Sequence, residues 1–356
     1  MSWRLVAALL VAVTAGVLGF VAASAGSDER GAKPLLFGFN EDWDTYEKKI
    51  RFAAAGGADT IRTVIPWTAV EPRPGVARWK RFDRLYGRML ANHARPLWVL
   101  SDAPCWAREI GPERCRAQGP VGFPPAESKL PQFALFAAQI AERYPESVAI
   151  ESWNEPNLFS FWRSGPDPER AARLTAWVNA GVELVDPGMP VVLGGLSPVV
   201  DTVPGTEAAY LEFIRRAYDE VGGGHWDGVA IHPFPSFQRS ADPLRDVAAH
   251  LDRVRKALRL SAARGTAIWV TEIGISTRGS SIPYSVAEQA RGLVRIHRAL
   301  SRMDDVRAMI VHRLVDLPRR VKSAEAGWGV VRRSGAVKPA YCALARERGN
   351  SCEPSR

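Results

Sequence analysis

The sequence predicts an α/β fold, a single (β/α)8 TIM barrel with extended rim loops after strands three and eight. Three observations predict it. Beyond a polar stretch, eight short runs rich in β-branched and apolar residues alternate with longer amphipathic segments, as repeated βα units do. The segments between the runs open on helix-start signals. A chain of 356 residues, 46% hydrophobic and 24% charged, can bury a large core as one barrel domain.

The first run, Leu35 to Asn40, follows the linker Gly26 to Pro34, and Asp44 with Glu47 then opens a helix. The second is Thr60 to Trp67, and the third, Arg95 to Ser101, leads into the long Pro-rich stretch Asp102 to Leu130. The fourth, Val148 to Glu155, closes on Trp153-Asn154-Glu155-Pro156-Asn157, after which Asp167-Pro168 starts a helix. Period two places Glu151 on the same pleat as Trp153 and Glu155, so it should point into the barrel and need a partner there. The fifth and sixth are Pro190 to Ser197 and Gly228 to Phe234. The seventh, Ala267 to Ile275, contains Trp269-Val270-Thr271-Glu272-Ile273-Gly274, and the capping box Ser285-Val286-Ala287-Glu288 follows it. The eighth, Val306 to Leu314, carries His312-Arg313 and opens the loop Leu317 to Val337. The barrel domain spans 35–348, with 349–356 as a C-terminal tail.

Residues 1–25 carry Arg4, an almost uncharged run from Leu5 to Ala23 and the small residues Ala23-Ser24-Ala25, which reads as a signal peptide. The run also approaches the roughly 20 residues that cross a bilayer, so an uncleaved membrane anchor is the alternative. Either places the protein outside the cytoplasm, secreted or tethered at the cell surface. The four cysteines form two close pairs, Cys105 with Cys115 and Cys342 with Cys352, and local disulfides suit an exported chain; unconnected thiols are the other reading. No Cys or His spacing suggests a metal, and no nucleic-acid-binding motif accompanies the net charge of +9. That charge would suit an acidic glycan or an anionic surface, although the basic residues are scattered as on a solvated face.

Barrel active sites gather at the C-terminal ends of the strands. Glu155 and Glu272 both fall there, on opposite arcs of the rim. Two facing carboxylates, one acid and one nucleophile, are what a retaining glycosidase needs. On these residues the chain resembles clan A of the glycoside hydrolases, which includes the cellulase-like family five and the β-xylosidase-like family thirty-nine. The resemblance covers roughly Leu35 to Tyr341. It implies that Asn154-Glu155-Pro156 holds the acid/base, that Glu272 is the nucleophile, that Asn154 bonds the sugar 2-hydroxyl, and that Arg62 and His232 belong to the site. It also implies a β-linked substrate and no cofactor.

Each of these residues has a plainer reading, a surface or salt-bridging Arg62 and a structural His232 among them. Two departures stand out. Many relatives carry Tyr where this chain has Phe234, so the hydroxyl beside Glu272 would have to come from elsewhere, for instance Tyr284. Relatives often place a Trp where this chain has His312-Arg313, which could form a cationic floor for an acidic or cell-wall sugar. Trp67, Trp106 and Trp328, at strand ends or in rim loops, are candidate stacking faces, as is Trp162 on the acceptor side, with core packing the alternative for each. The functional expectation is an exported retaining glycosidase cleaving β-linked poly- or oligosaccharides. The other class is an inactive carbohydrate-binding surface protein on the same barrel.

Overall fold

A computed structural model of the chain describes residues 34–352, apart from 43–46, 111, 112, 114, 116, 118, 120, 236–239, 262, 264, 280–282 and 319. The N-terminal segment 1–25, most of the linker, Asp44 and residues 353–356 lie outside the described residues. Eight strands pair in parallel in chain order and β8 returns to β1, closing a barrel. They are β1 (Leu36–Asn40), β2 (Thr60–Pro66), β3 (Arg95–Ser101), β4 (Ala149–Glu151), β5 (Val191–Leu196), β6 (Gly228–Ile231), β7 (Ala267–Ile273) and β8 (Val306–Val311).

A helix follows each strand: α1 (Glu47–Ala55), α2 (Lys80–Ala91), α3 (Leu130–Arg143), α4 (Pro168–Glu183), α5 (Tyr210–Val221), α6 (Pro243–Leu260), α7 (Val286–Leu300) and α8 (Pro339–Glu347). Their starts follow from local chemistry. Asp167 caps α4 ahead of a Pro at its first position, and Ser285 with Glu288 closes the capping box of α7. Trp67–Val70 forms a single helical turn where the second run was expected to end as strand.

The apolar residues divide into two layers. Leu97, Val99, Val192, Trp269 and Ile310 fill the barrel interior, while a larger shell including Phe37, Trp98, Phe133 and Leu293 packs between sheet and helices. The polar site sits above the interior plug, on the side where the strands end. Two irregularities in the sheet prepare it. The pairing of β5 with β6 shifts between Gly194 and Leu196, and that of β7 with β8 shifts between Val270 and Ile273.

Both expected disulfides are present, Cys105–Cys115 at the start of the β3–α3 loop and Cys342–Cys352 between α8 and the tail. No helix among the described residues is long and apolar enough to cross a membrane.

Candidate active site

Arg62, only 1% exposed, is the centre of the site. Alternation along β2 sends it inward, and its five N–H groups all find acceptors. Nε and Nη2 grip the two oxygens of Glu151 at 2.9 and 2.7 Å, Nη1 donates to Asn40 Oδ1 at 2.9 Å and to Glu272 Oε1 at 2.6 Å, and Nη2 donates to Asn154 Oδ1 at 2.8 Å. Burial opposes its charge, yet the Glu151 and Glu272 carboxylates raise its pKa above the usual value. Glu151 has the structural role its position on the pleat implied, since the bidentate pair satisfies a carboxylate that is 0% exposed.

Glu272 reaches this centre through an irregularity. Trp269 faces the interior and Val270 the helix layer, so strict period two would send Thr271 inward and Glu272 outward. Between Val270 and Ile273 β7 has one more residue than the facing stretch of β8, and this bulge turns Glu272 onto Arg62. Its other oxygen, Oε2, lies 3.1 Å from His312 Nδ1 and 3.8 Å from His232 Nδ1.

Glu155 arrives by a different route. β4 ends at Glu151, four residues short of the expected boundary, because Ser152 bonds Thr175 of α4 and Trp153 packs on Phe133 and Trp162 in the helix layer. Trp153 therefore does not share the pleat of Glu151. Glu155 itself adopts φ 42°, a conformation a non-glycine residue holds only when its surroundings impose it. Its N–H donates to Gly195 O at 3.0 Å and its carbonyl accepts from Leu158, which fix the turn. Gly195 has φ +67°, and a Cβ there would overlap Glu151 Oε1 and come within 2.8 Å of His232 Nε2. Only glycine lets β5 pass this close.

His232 links the two candidate catalytic groups. Its Nε2 faces the Arg62 guanidinium at 3.5 Å, which offers donors and no acceptor, so the ring proton belongs on Nδ1 and donates to Glu155 Oε1 at 3.0 Å. Burial first of all lowers the His232 pKa to about 4, which keeps the ring neutral. One nitrogen touching both carboxylates places their nearest oxygens within about 7 Å of each other, a span compatible with the roughly 5–5.5 Å separation of retaining enzymes. Both side chains keep an opening to solvent, 13% for Glu155 and 11% for Glu272. Burial pushes the Glu155 pKa up to about 7, against the opposing pull of Arg62 and a hydrogen bond from Ser197.

His312, an expected site residue, stands beside Glu272, at the position where the resemblance would otherwise place a Trp. Its pKa is lowered to about 3, by burial and then by the charges of Arg313 and Arg62. Asn40 Nδ2 also approaches His312 Nδ1, at 2.8 Å, so that nitrogen can accept from Asn40 or donate to Glu272, one at a time. The tryptophan comes instead from the long loop. Trp328 stacks on Phe234 at 4.5 Å with an 8° interplanar angle and meets His312 edge-on at 5.1 Å. The absence of a side chain on Gly274 makes room, since a Cβ there would lie 3.0 Å from Trp328 Cγ.

Not every expected residue is at the site. Trp67 is 0% exposed, stacked on Phe136 with its Nε1 bound to Glu71, so it offers no face to a sugar. Its place in a single helical turn turns it into the helix layer. Trp162 is likewise fully buried. Trp106 is half-buried, edge-on to Trp67, and donates to Glu71 O at 3.0 Å. Tyr284 does not reach Glu272; its hydroxyl bonds the backbone of Ser240 and ties two rim loops. Arg313 pairs with Asp42 at 2.7 Å and lies 4.0 Å from Glu41.

Three contributors had no sequence signal beyond their position in loops or helices. Glu325, in the β8–α8 loop, has its pKa raised by burial and then by the charges of Glu272 and Glu155, which places a third carboxyl near the pair. Gln289 of α7, 0% exposed, donates to Ile275 O at 2.9 Å and Gly329 O at 3.1 Å. Lys338, 1% exposed, donates to Asp316 Oδ1 at 2.8 Å and Gly329 O at 2.7 Å. Together they clamp the backbone on both sides of Trp328. Asn40 was readable only as the last residue of the first run. Among the described residues, no group of three or more His, Cys, Asp or Glu is disposed to hold a metal ion.

The fold and site define a (β/α)8 barrel with a carboxylate pair at its rim, and solved structures share its architecture. A family 39 glycoside hydrolase from the gut symbiont Bacteroides cellulosilyticus WH2 matches with a TM-score of 0.65 and 21% identity, over 88% of this chain and 63% of that one. The GH39 enzyme from Xanthomonas axonopodis pv. citri matches with a TM-score of 0.63 and 20% identity, over 90% of this chain and 67% of that one. A GH5_18 protein from Streptomyces cattleya, solved with Manβ1-4GlcNAc, matches with a TM-score of 0.64 and 18% identity, over 88% and 80%. The chain thus spans less than two thirds of the length of the first of these. At such identities the likeness establishes the fold. No protein-family profile and no curated protein sequence matches the chain.

Proposed function

We propose that this protein is a retaining glycosidase that cleaves β-linked poly- or oligosaccharides by double displacement. The observation that carries the reading is the convergence of Glu155 and Glu272 on His232 Nδ1, at 3.0 and 3.8 Å, with Arg62 holding Glu272 and Asn154. Glu272 attacks the anomeric carbon as the glycosidic bond breaks, and the proton of Glu155 passes to the departing oxygen. Water, giving its proton back to Glu155, then frees the sugar from its ester with Glu272, restoring the original anomeric configuration. Asn154, whose Oδ1 is taken by Arg62, has no partner for Nδ2 among the described residues, and this donor suits a sugar 2-hydroxyl. Trp328 and His312 form one wall for the scissile sugar.

The β-linkage draws support from the neighbours, one of which was solved with Manβ1-4GlcNAc. Export draws support from the leader-like N-terminus and the two disulfides. Replacing Glu272 tests the reading. Glu272→Ala should lower turnover by at least about 10³-fold while the fold persists, and azide should restore it as a glycosyl azide of inverted configuration. Parent-like turnover by the unrescued variant would remove Glu272 from the reaction.

A further inference from the structure

A second concavity lies beside the site, and its chemistry names its ligand. It has a volume of about 480 Å³, within the range of small-molecule sites, and lies between α1 and the β8–α8 loop. Lys48, Lys49, Arg313, Arg320, Arg332 and Arg333 line it, against two acids, Asp42 and Asp316. Both acids are engaged, Asp42 by Arg313 at 2.7 Å and Asp316 by Lys338 at 2.8 Å. Glu41, behind the wall, takes Lys49 at 2.5 Å. Lys48, Arg320, Arg332 and Arg333 are exposed and form no ion pair among the described residues.

Arg313 joins this basin to the reaction centre. It directly follows His312, which contacts Glu272, and its own guanidinium faces the basin. The Arg313 guanidinium meets the basin through Nη2, which holds Asp42 at 2.7 Å. Four cations with no ion-pair partner among the described residues line one basin together with Arg313, which makes it a site for oxyanions, and the planar Arg forks suit carboxylate, sulfate and phosphate alike. A neutral glycan would leave this excess positive charge uncompensated.

We propose that this basin seats an acidic part of the glycan, a sugar carrying a carboxylate, sulfate or phosphate group, on a substrate whose scissile bond lies between Glu155 and Glu272. This rests on the glycosidase reading. It selects the class of substrate, an anionic oligosaccharide, and Arg313 is the residue shared by the basin and the reaction centre.

Calorimetric binding to the Glu155→Gln protein tests it, with oligogalacturonates, sulfated cello-oligosaccharides and neutral cello-oligosaccharides of equal length as probes. At low ionic strength at least one acidic set should bind about tenfold or more tightly than the neutral set, and the advantage should vanish in high salt. The pair Arg332→Glu with Arg333→Glu, and separately Lys48→Glu with Arg320→Glu, should each abolish the preference. All four residues are exposed, and thermal unfolding verifies that the variants fold. Equal binding, no binding by either class, or a preference that survives both pairs of reversals overturns the proposal. So does a loss confined to phosphatidylglycerol vesicles, which would make the basin a membrane contact. Turnover of activated aryl glycosides by the unaltered protein reports on the underlying reading alone. Turnover without acid preference sinks only the basin, while acid-selective binding with no turnover of any glycoside sinks the glycosidase reading and, with it, the status of the bound acidic glycan as a substrate.

Discussion

Glu155 is held at φ 42° with its carboxyl largely buried beneath a narrow opening to solvent, and that burial raises its pKa to about 7. A carboxyl raised in this way is protonated below that pH and charged above it, so as a proton donor it works on the acid side and fails as pH rises. The kcat/KM profile should therefore fall through an alkaline limb near pH 7, and Glu155→Gln should remove that limb. The same variant should cost about 10²- to 10⁴-fold on substrates with poor leaving groups and far less on dinitrophenyl glycosides. Equal losses on both would take the acid role away from Glu155. The two carboxylates were legible because each sits in a motif at the end of an apolar run. The inward turn of Glu272 was not, since a bulge reverses the period that a reading by alternation relies on. Arg62 was legible for the converse reason, that β2 keeps strict register with β3 from Thr60 to Pro66.

Among the elements, the β8–α8 loop shapes the site most. His312, just past strand eight, is kept neutral by burial, unlike the cationic floor that His312-Arg313 suggested, and the loop returns Trp328, already a candidate stacking face, to stack on Phe234. Gln289 and Lys338 hold the carbonyls of Gly327 and Gly329 from below. Gln289→Leu leaves those buried carbonyls with fewer donors, at a cost of about 1–3 kcal/mol in stability. If the clamp positions Trp328, kcat/KM should also fall about tenfold, chiefly through KM, because a stacking wall contributes to ground and transition states alike. Unfolding at lower temperature with unchanged KM would show that the clamp serves stability alone. Composition could not sort the tryptophans. Trp67 and Trp162 are as aromatic as Trp328, but the first enters a helical turn and the second meets Trp153, and both vanish into the helix layer. That outcome depends on packing between segments far apart in sequence.

At the scale of the molecule, the eightfold alternation was readable because each βα unit repeats the same local signals, and the barrel closes in chain order as those units imply. The rim was less readable, since loop paths follow from glycine contacts and buried polar clamps that leave no periodic trace. The net charge of +9 shows the same limit. Read along the chain it is scattered, yet the barrel gathers six cations around one basin next to Glu272. On the proposed reading, the barrel brings Glu155 and Glu272, from opposite arcs, onto one anomeric carbon. The most direct measurement begins with the aryl β-glycoside that the protein turns over, incubates it with the 2-deoxy-2-fluoro analogue of that sugar, and maps the covalent adduct by peptide mass spectrometry. The adduct should sit on Glu272; labelling of another residue, or turnover with no trapped ester, would contradict the account.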